Sequence, residues 1–93
     1  MKKLDLRVKP SFRDMQMKDK IRRFLSQNKN IDGISDDDDL FENGFVNSLF
    51  ALQLIMFIEK EYKIRIPDEK IKEDNFRSVN AIINTVSSIL TTQ

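Results

Sequence analysis

Apolar residues recur at helical spacing in three segments of the chain. Met17, Ile21, Phe24 and Leu25 lie at positions i, i+4, i+7 and i+8 and predict a helix over residues 12–28. The segment from Ser48 to Tyr62 is apolar nearly all round, and residues 79–90 carry the cleanest amphipathic pattern, Val79, Ile82, Ile83, Val86 and Leu90. Asp68, after Pro67, predicts a short helix to about residue 72. The pattern therefore predicts an all-α fold, a small four-helix bundle with three long helices and one short.

The helix predicted over residues 48–62 has more apolar residues than one buried stripe needs. We assign Leu52, Ile55 and Ile58 to the inward stripe, together with Tyr62. A helix that is apolar on several faces is either buried on every side or offers a face to a partner. Because a domain this small cannot bury every face, we expect part of this helix to stay exposed.

A long connection over residues 29–47 contains four consecutive aspartates, Asp36 to Asp39. We expect its apolar residues to pin the loop to the helices and the four carboxylates to stay solvated. A calcium-binding EF-hand loop that began at Asp36 would need Gly at its sixth place and Glu at its twelfth. Phe41 and Asn47 stand there instead, so we predict no metal site.

Composition excludes several classes of chemistry. The 93 residues suit one domain, and 40% hydrophobic with 33% charged residues is a globular balance. His and Cys are absent, which excludes Ser-His-Asp and Cys-His catalysis, the common zinc sites and disulfides. The N-terminus alternates charged and apolar residues and predicts no signal peptide, so we expect a cytoplasmic protein without a membrane span.

The two parts of the chain carry opposite charge. Residues 1–29 sum to +7 and residues 30–93 to −6, within a net charge of +1. We divide the chain into a basic N-terminal arm, residues 1–10, and a folded domain, residues 11–93. A basic arm is compatible with a nucleic-acid adaptor, but aromatic residues are nearly absent there, so a solvated helix face is favoured.

Ser48 is the candidate for chemistry. A serine in the first turn of a helix is often only a cap. Ser48, however, follows a loop that contains Gly44 and precedes a helix with spare apolar surface. The unbonded backbone N–H groups and the positive end of a helix dipole at this position suit a phosphodiester.

The residues around Ser48 resemble a known motif. Gly44-x-x-Asn47-Ser48-Leu49 is similar to the Gly-x-x-Asp-Ser-Leu attachment motif of acyl carrier proteins, four-helix modules that bear 4′-phosphopantetheine on serine. The resemblance extends over roughly residues 15–90, through Phe24-Leu25, Leu40-Phe41, Glu59-Lys60-Glu61-Tyr62, Ile66-Pro67-Asp68-Glu69 and Asn75-Phe76-Arg77-Ser78-Val79.

The resemblance implies a carrier that is not itself an enzyme. Ser48, flanked by Asn47 and Leu49, would receive 4′-phosphopantetheine from a phosphopantetheinyl transferase, with coenzyme A as donor. The terminal thiol would then hold a biosynthetic intermediate as a thioester for acyl-loading and acyl-processing enzymes. The expected docking face for these partners is formed by Leu49, Phe50, Met56 and Phe57. We expect a monomer that binds neither nucleic acid nor membrane.

Two departures shape the functional prediction. Asn47 replaces the usual Asp, which keeps a capping side chain but removes a negative charge that can assist the transferase. The first helix is basic, whereas many fatty-acid carriers are acidic. The stretch around Ser48 is similar to stand-alone carriers of polyketide or mixed peptide pathways that supply alkoxymalonyl-type or hydroxymalonyl-type units. An aminoacyl carrier of the D-alanyl type and an unmodified carrier-like interaction module remain alternatives.

Overall fold

The computed structural model describes residues 12–27 and 30–91, and this part of the chain is helical. It contains α1 (Phe12–Ser26), α2 (Ser48–Tyr62) and α3 (Val79–Thr91), and no strand occurs within it. The all-α prediction is confirmed, and each long helix agrees with its predicted bounds to within two residues. The predicted arm over residues 1–10 lies outside the described residues.

The segment after Pro67 differs from the predicted short helix. It forms two 3-10 helices, Asp68–Lys70 and Glu73–Phe76, so the predicted count of four helices is not confirmed. Lys70 N–H donates to the Pro67 carbonyl at 2.9 Å, and the backbone leaves the helical region at Ile71. No apolar stripe follows the start signal, and only Phe76 is buried, so packing does not stabilise a longer helix here.

The core lies where the three helices meet. Met17, Ile21 and Leu25 of α1 are buried as predicted, whereas Phe24 of α1 and Leu90 of α3 are only half-buried. From α2 and α3 the buried apolar side chains are Phe50, Leu54, Ile55, Ile58, Val79, Ile82, Ile83, Val86 and Ile89. The prediction that Leu52 faces inward is wrong, because this residue is 53% exposed.

Part of the aspartate run fixes the long loop to the helices. The expectation that all four carboxylates stay solvated is wrong for Asp36 and Asp39, which form ion pairs, whereas Asp37 is exposed as expected. The Asp36 carboxylate accepts from Lys18 at 2.9 Å and Arg22 at 2.7 Å, both on α1. Asn80 of α3 donates its side-chain amide to Asp37 at 2.6 Å. The loop also buries Ile31, Leu40 and Val46, as expected for a long connection that packs.

Most of the positive charge of α1 is neutralised within the molecule. Lys18 and Arg22 bind Asp36, Lys20 binds Glu61 of α2, and Arg23 binds Asp19. The described part of α1 therefore offers few unpaired cations to nucleic-acid phosphates.

Candidate functional site

A compact turn leads the chain into α2. Asp39 accepts the backbone N–H groups of Phe41 at 3.0 Å and Glu42 at 2.9 Å. The carbonyl of the buried Leu40 then accepts two N–H groups, from Phe45 at 2.9 Å and Val46 at 3.0 Å. Gly44 has φ +80°, a left-handed conformation that favours glycine. These bonds set the position at which the chain enters α2.

Arg77, which is 38 residues from Asp39 in the sequence, contacts this turn and holds it. Its guanidinium binds Asp39 at 2.7 Å and Asp74 at 2.8 Å, and its carbonyl accepts the Leu40 N–H at 2.7 Å. The pKa of Asp39 lies below its ordinary value because the Glu42 N–H and the Arg77 guanidinium both stabilise the carboxylate. Asp39 is therefore an ionised anchor at neutral pH.

Asn47 caps α2. Its backbone is extended, and its side-chain oxygen accepts the Phe50 N–H at 2.8 Å. Its carbonyl accepts the Ala51 N–H at 2.8 Å. Ser48 is thus the first residue of the helix, as predicted, and its N–H and that of Leu49 bond to no acceptor among the described residues.

Ser48 differs from the other described serines because its hydroxyl makes no hydrogen bond within the described residues. The described serines at positions 26, 35, 78, 87 and 88 all use the hydroxyl in a hydrogen bond. The Ser48 side chain is exposed, and its hydroxyl makes no hydrogen bond to any residue within 12–27 and 30–91. It is available for esterification without the loss of an internal contact.

An open cleft of about 270 Å³ adjoins Ser48. Ala51, Leu52 and Ile55 of α2 form one wall, and Ile71 and Phe76 of the 3-10 segment form the other. Lys72 and Glu73 stand at its edge with opposite charges. The lining is mainly apolar, so the cleft can shelter an apolar part of an arm attached to Ser48.

The predicted docking face is only partly exposed. Leu49 and Met56 are 68% and 62% exposed, whereas Phe50 is 9% exposed and Phe57 is half-buried. Leu52 lies beside the two exposed residues, and the sequence analysis missed it. Leu52 comes three residues after Leu49 and four residues before Met56, and this helical spacing would have placed it on the same face of α2 as those two residues. The exposed apolar face of α2 therefore consists of Leu49, Leu52 and Met56.

The described residues offer neither a metal site nor a membrane span. No group of three or more Asp or Glu side chains within residues 12–27 and 30–91 is placed to hold a metal ion. None of the helices found there is both long and apolar enough to cross a bilayer.

Comparison with known proteins identifies the family. Residues 16–86 match the family model described as phosphopantetheine attachment site. A D-alanyl carrier protein of Leuconostoc mesenteroides is 31% identical over 54 residues, 58% of this chain and 69% of that protein. An aminoacyl carrier protein of Agrobacterium fabrum is 37% identical over 60 residues, 64% and 71% of the two chains.

A D-alanyl carrier protein of Streptococcus sanguinis is 30% identical over 53 residues, 57% of this chain and 67% of that protein. An exposed serine hydroxyl without an internal partner, beside an apolar cleft, fits a phosphodiester-linked arm. The chain belongs to the phosphopantetheine-attachment-site family of carrier proteins, whose domains carry 4′-phosphopantetheine.

Proposed function

We propose that Ser48 carries the 4′-phosphopantetheine group of this carrier. The observation behind the proposal is the exposed Ser48 hydroxyl, which makes no hydrogen bond within the described residues and lies at the first position of α2. The Ser48 oxygen forms the new bond to the phosphorus next to the pantetheine of coenzyme A. The pyrophosphate bond of coenzyme A breaks, adenosine 3′,5′-bisphosphate leaves, and the Ser48 proton passes to the phosphopantetheinyl transferase. The N–H groups of Ser48 and Leu49, at the positive end of the helix dipole, stabilise the phosphate charge.

The chain itself binds and presents, and we propose that it catalyses nothing. When bound, the group supplies a thiol on a flexible arm, where a carboxylic acid or amino acid is held as a thioester. The cleft beside Ser48 shelters part of this arm, and Leu49, Leu52 and Met56 offer apolar contacts to the enzymes that load and process the cargo.

The proposed carrier domain spans residues 11–93, follows the basic arm of residues 1–10 and acts as a monomer. Residues 68–76 stand in place of the short fourth helix of a carrier bundle. The cytoplasm, where the donor coenzyme A is found, is the proposed location.

Two classes of cargo are supported by different observations. The D-alanyl and aminoacyl carrier relatives favour an amino acid. The stretch from Gly44 to Leu54 favours a malonyl-type unit of a polyketide or mixed peptide pathway, by its resemblance to stand-alone carriers. We rank the aminoacyl cargo at least equal to the malonyl-type cargo, because its relatives match along more than half of the chain.

Intact mass after incubation with coenzyme A and a broad-specificity transferase tests the attachment. Wild type and the control Ser88→Ala, which removes another exposed serine, are expected to gain one phosphopantetheine-sized mass. Ser48→Ala is expected to gain none. Failure of the wild type with several transferases would instead favour the unmodified interaction module, and a gain in Ser48→Ala would refute the assignment.

The cargo is tested on the modified protein. One sample receives D-alanine, ATP and an amino-acid-activating ligase, and another receives malonyl coenzyme A and an acyltransferase. The cargo is identified by a mass gain that hydroxylamine removes, because hydroxylamine cleaves thioesters. Loading by only one of the two systems decides between the aminoacyl and malonyl-type proposals.

A further inference from the structure

An aromatic groove lies between α1 and α2. The Phe24 ring stacks on Phe57 with centroids 4.6 Å apart and on Phe50 with centroids 5.5 Å apart. Phe50 is buried, but Phe24 and Phe57 are half-buried and line open space on both sides of the pair. The space has volumes of about 340 Å³ beside Met56 and about 270 Å³ beside Lys20. The groove therefore has an apolar floor that other parts of the described chain leave uncovered.

The rim of the groove carries more positive than negative charge. Lys20, Arg23 and Lys60 line it together with one carboxylate, Glu61, so its lining carries a net charge of +2. The full chain, by comparison, carries a net charge of only +1. The groove is thus a local attractor for a negatively charged group.

Two of the three cations are available to an external carboxylate. Lys60 forms no ion pair with any residue within 12–27 and 30–91. Arg23 binds Asp19, but the two side chains are 69% and 70% exposed, and such a pair contributes little to stability. Lys20 is held by Glu61. Arg23 and Lys60 stand on the two helices that border the aromatic floor.

We propose that this groove docks an acidic amphipathic helix of a partner protein. The apolar side chains of that helix pack on Phe24, Met56 and Phe57, and its carboxylates bind Arg23 and Lys60, the arrangement of helix-in-groove recognition. Nucleic acid and anionic membranes fit less well, because two available cations beside an apolar floor are few for a phosphate backbone or a layer of lipid headgroups. The partner is therefore a protein segment that alternates apolar and acidic residues at helical spacing.

The groove lies at the opposite end of α2 from Ser48. Lys60 is twelve residues beyond Ser48, about 18 Å along the helix at ~1.5 Å per residue. A helix docked in the groove covers Met56, which also belongs to the exposed apolar face of α2, but leaves Ser48, Leu49 and Leu52 uncovered. One partner can therefore hold the protein while another acts at Ser48. The docking goes beyond the proposed function and does not depend on modification of Ser48.

Two synthetic peptides test the proposal with the full chain. The first places Leu at helical positions i, i+3, i+4 and i+7 with Glu between them, and the second has Lys in place of every Glu. Titration into the ¹⁵N-labelled protein is followed by amide chemical shifts. The acidic peptide is expected to shift residues 20–27 and 53–61, and the basic peptide to shift neither range.

Charge-removal variants supply the matched control. Arg23→Gln with Lys60→Gln is expected to weaken binding of the acidic peptide about three- to tenfold, as for the loss of two exposed charge contacts. Arg65→Gln with Lys72→Gln removes the same charge from exposed residues that do not line the groove and is expected to leave the affinity unchanged. Met56→Gln leaves the charges in place and is expected to weaken binding through the lost apolar contact.

Several results would overturn the proposal. The first two are equal binding of the acidic and basic peptides and equal weakening of binding in the two double variants. The third is chemical-shift changes confined to residues 48–52 and 71–76. The fourth is that duplex DNA or anionic vesicles bind at residues 20–27 and 53–61 more tightly than the acidic peptide does. Modification of Ser48, measured by intact mass in the same variants, reports separately on the carrier function. A wild-type protein that is modified normally at Ser48 but does not bind the acidic peptide would refute the groove proposal and leave the carrier function standing.

Discussion

Replacement of Asn47 tests how the start of α2 is held. In the wild type, the Phe50 N–H donates to the Asn47 side-chain oxygen at 2.8 Å. Asn47→Ala removes this acceptor, whereas the Ala51 N–H keeps its bond to the backbone carbonyl of residue 47. Loss of one N-cap acceptor costs about 1 kcal/mol of the free energy of unfolding, within a range of about 0.5–2 kcal/mol. In a domain of this size that corresponds to a fall in Tm of about 4–8 °C.

Asn47→Asp gives the opposite expectation. The carboxylate keeps the acceptor and adds a negative charge at the positive end of the helix dipole, which stabilises the helix by about 0.3–1 kcal/mol. The stability order is therefore Asp, then Asn, then Ala. Because the added charge can assist the transferase, Asn47→Asp is also expected to be modified at Ser48 faster than the wild type.

Urea and thermal unfolding at neutral pH measure this order. Asn43→Ala is the matched control, since Asn43 is an exposed amide in the same loop whose side chain makes no hydrogen bond within the described residues. It is expected to change stability by less than about 0.5 kcal/mol. Equal stability of Asn47→Ala, Asn43→Ala and wild type would show that the cap contributes nothing.

Three further changes test the core and the loop. Leu54→Ala, at a fully buried position, should lower the free energy of unfolding in urea by about 2–5 kcal/mol. Leu52→Ala, at an exposed position, is the control and should lower it by less than about 0.5 kcal/mol. Burial raises the pKa of Asp36, but the two α1 cations bound to it outweigh burial and hold the pKa below its ordinary value of 3.8. Asp36 therefore stabilises the fold above that pH and loses this contribution as the pH falls through its lowered pKa; Asp36→Asn should flatten the acid limb of stability against pH. Arg77→Ala should speed amide hydrogen exchange in residues 40–46, and Arg77→Lys, which keeps the positive charge, should speed it less. Unchanged exchange in both variants would show that the ion pair of Arg77 with Asp39 does not hold the turn.

The long helices were predictable because their information is local. In α1 and α3 one apolar stripe repeats every three or four residues, and most of its members are buried, although Leu90 is only half-buried and its neighbour Ile89 is buried instead. In α2 several stripes compete, and only the positions of the neighbouring helices decide which is inside. Leu52 was misplaced for this reason. Pro67 and Asp68 resemble a helix start, but no apolar stripe follows them to stabilise a full helix.

The polar contacts of the loop were not predictable, because their partners are distant in sequence. Asp39 binds Arg77, 38 residues away, and Arg22 binds Asp36 across 14 residues. A run of four aspartates reads as a solvated patch unless the opposing cations are known. The Gly44-x-x-Asn47-Ser48 spacing, by contrast, is local and placed Ser48 at the first residue of α2, as the structure has it.

Ser48 itself is expected to contribute nothing to stability. The upstream turn is held by Asp39 and Leu40, and the first turn of α2 by Asn47, so the chain direction at Ser48 is set without its hydroxyl. Ser48→Ala should therefore change the free energy of unfolding by less than about 0.5 kcal/mol while it abolishes modification. A loss near 1 kcal/mol, like that expected for Asn47→Ala, would mean that the hydroxyl serves as a structural bond, and the serine would then be explained by stability rather than by a carrier function.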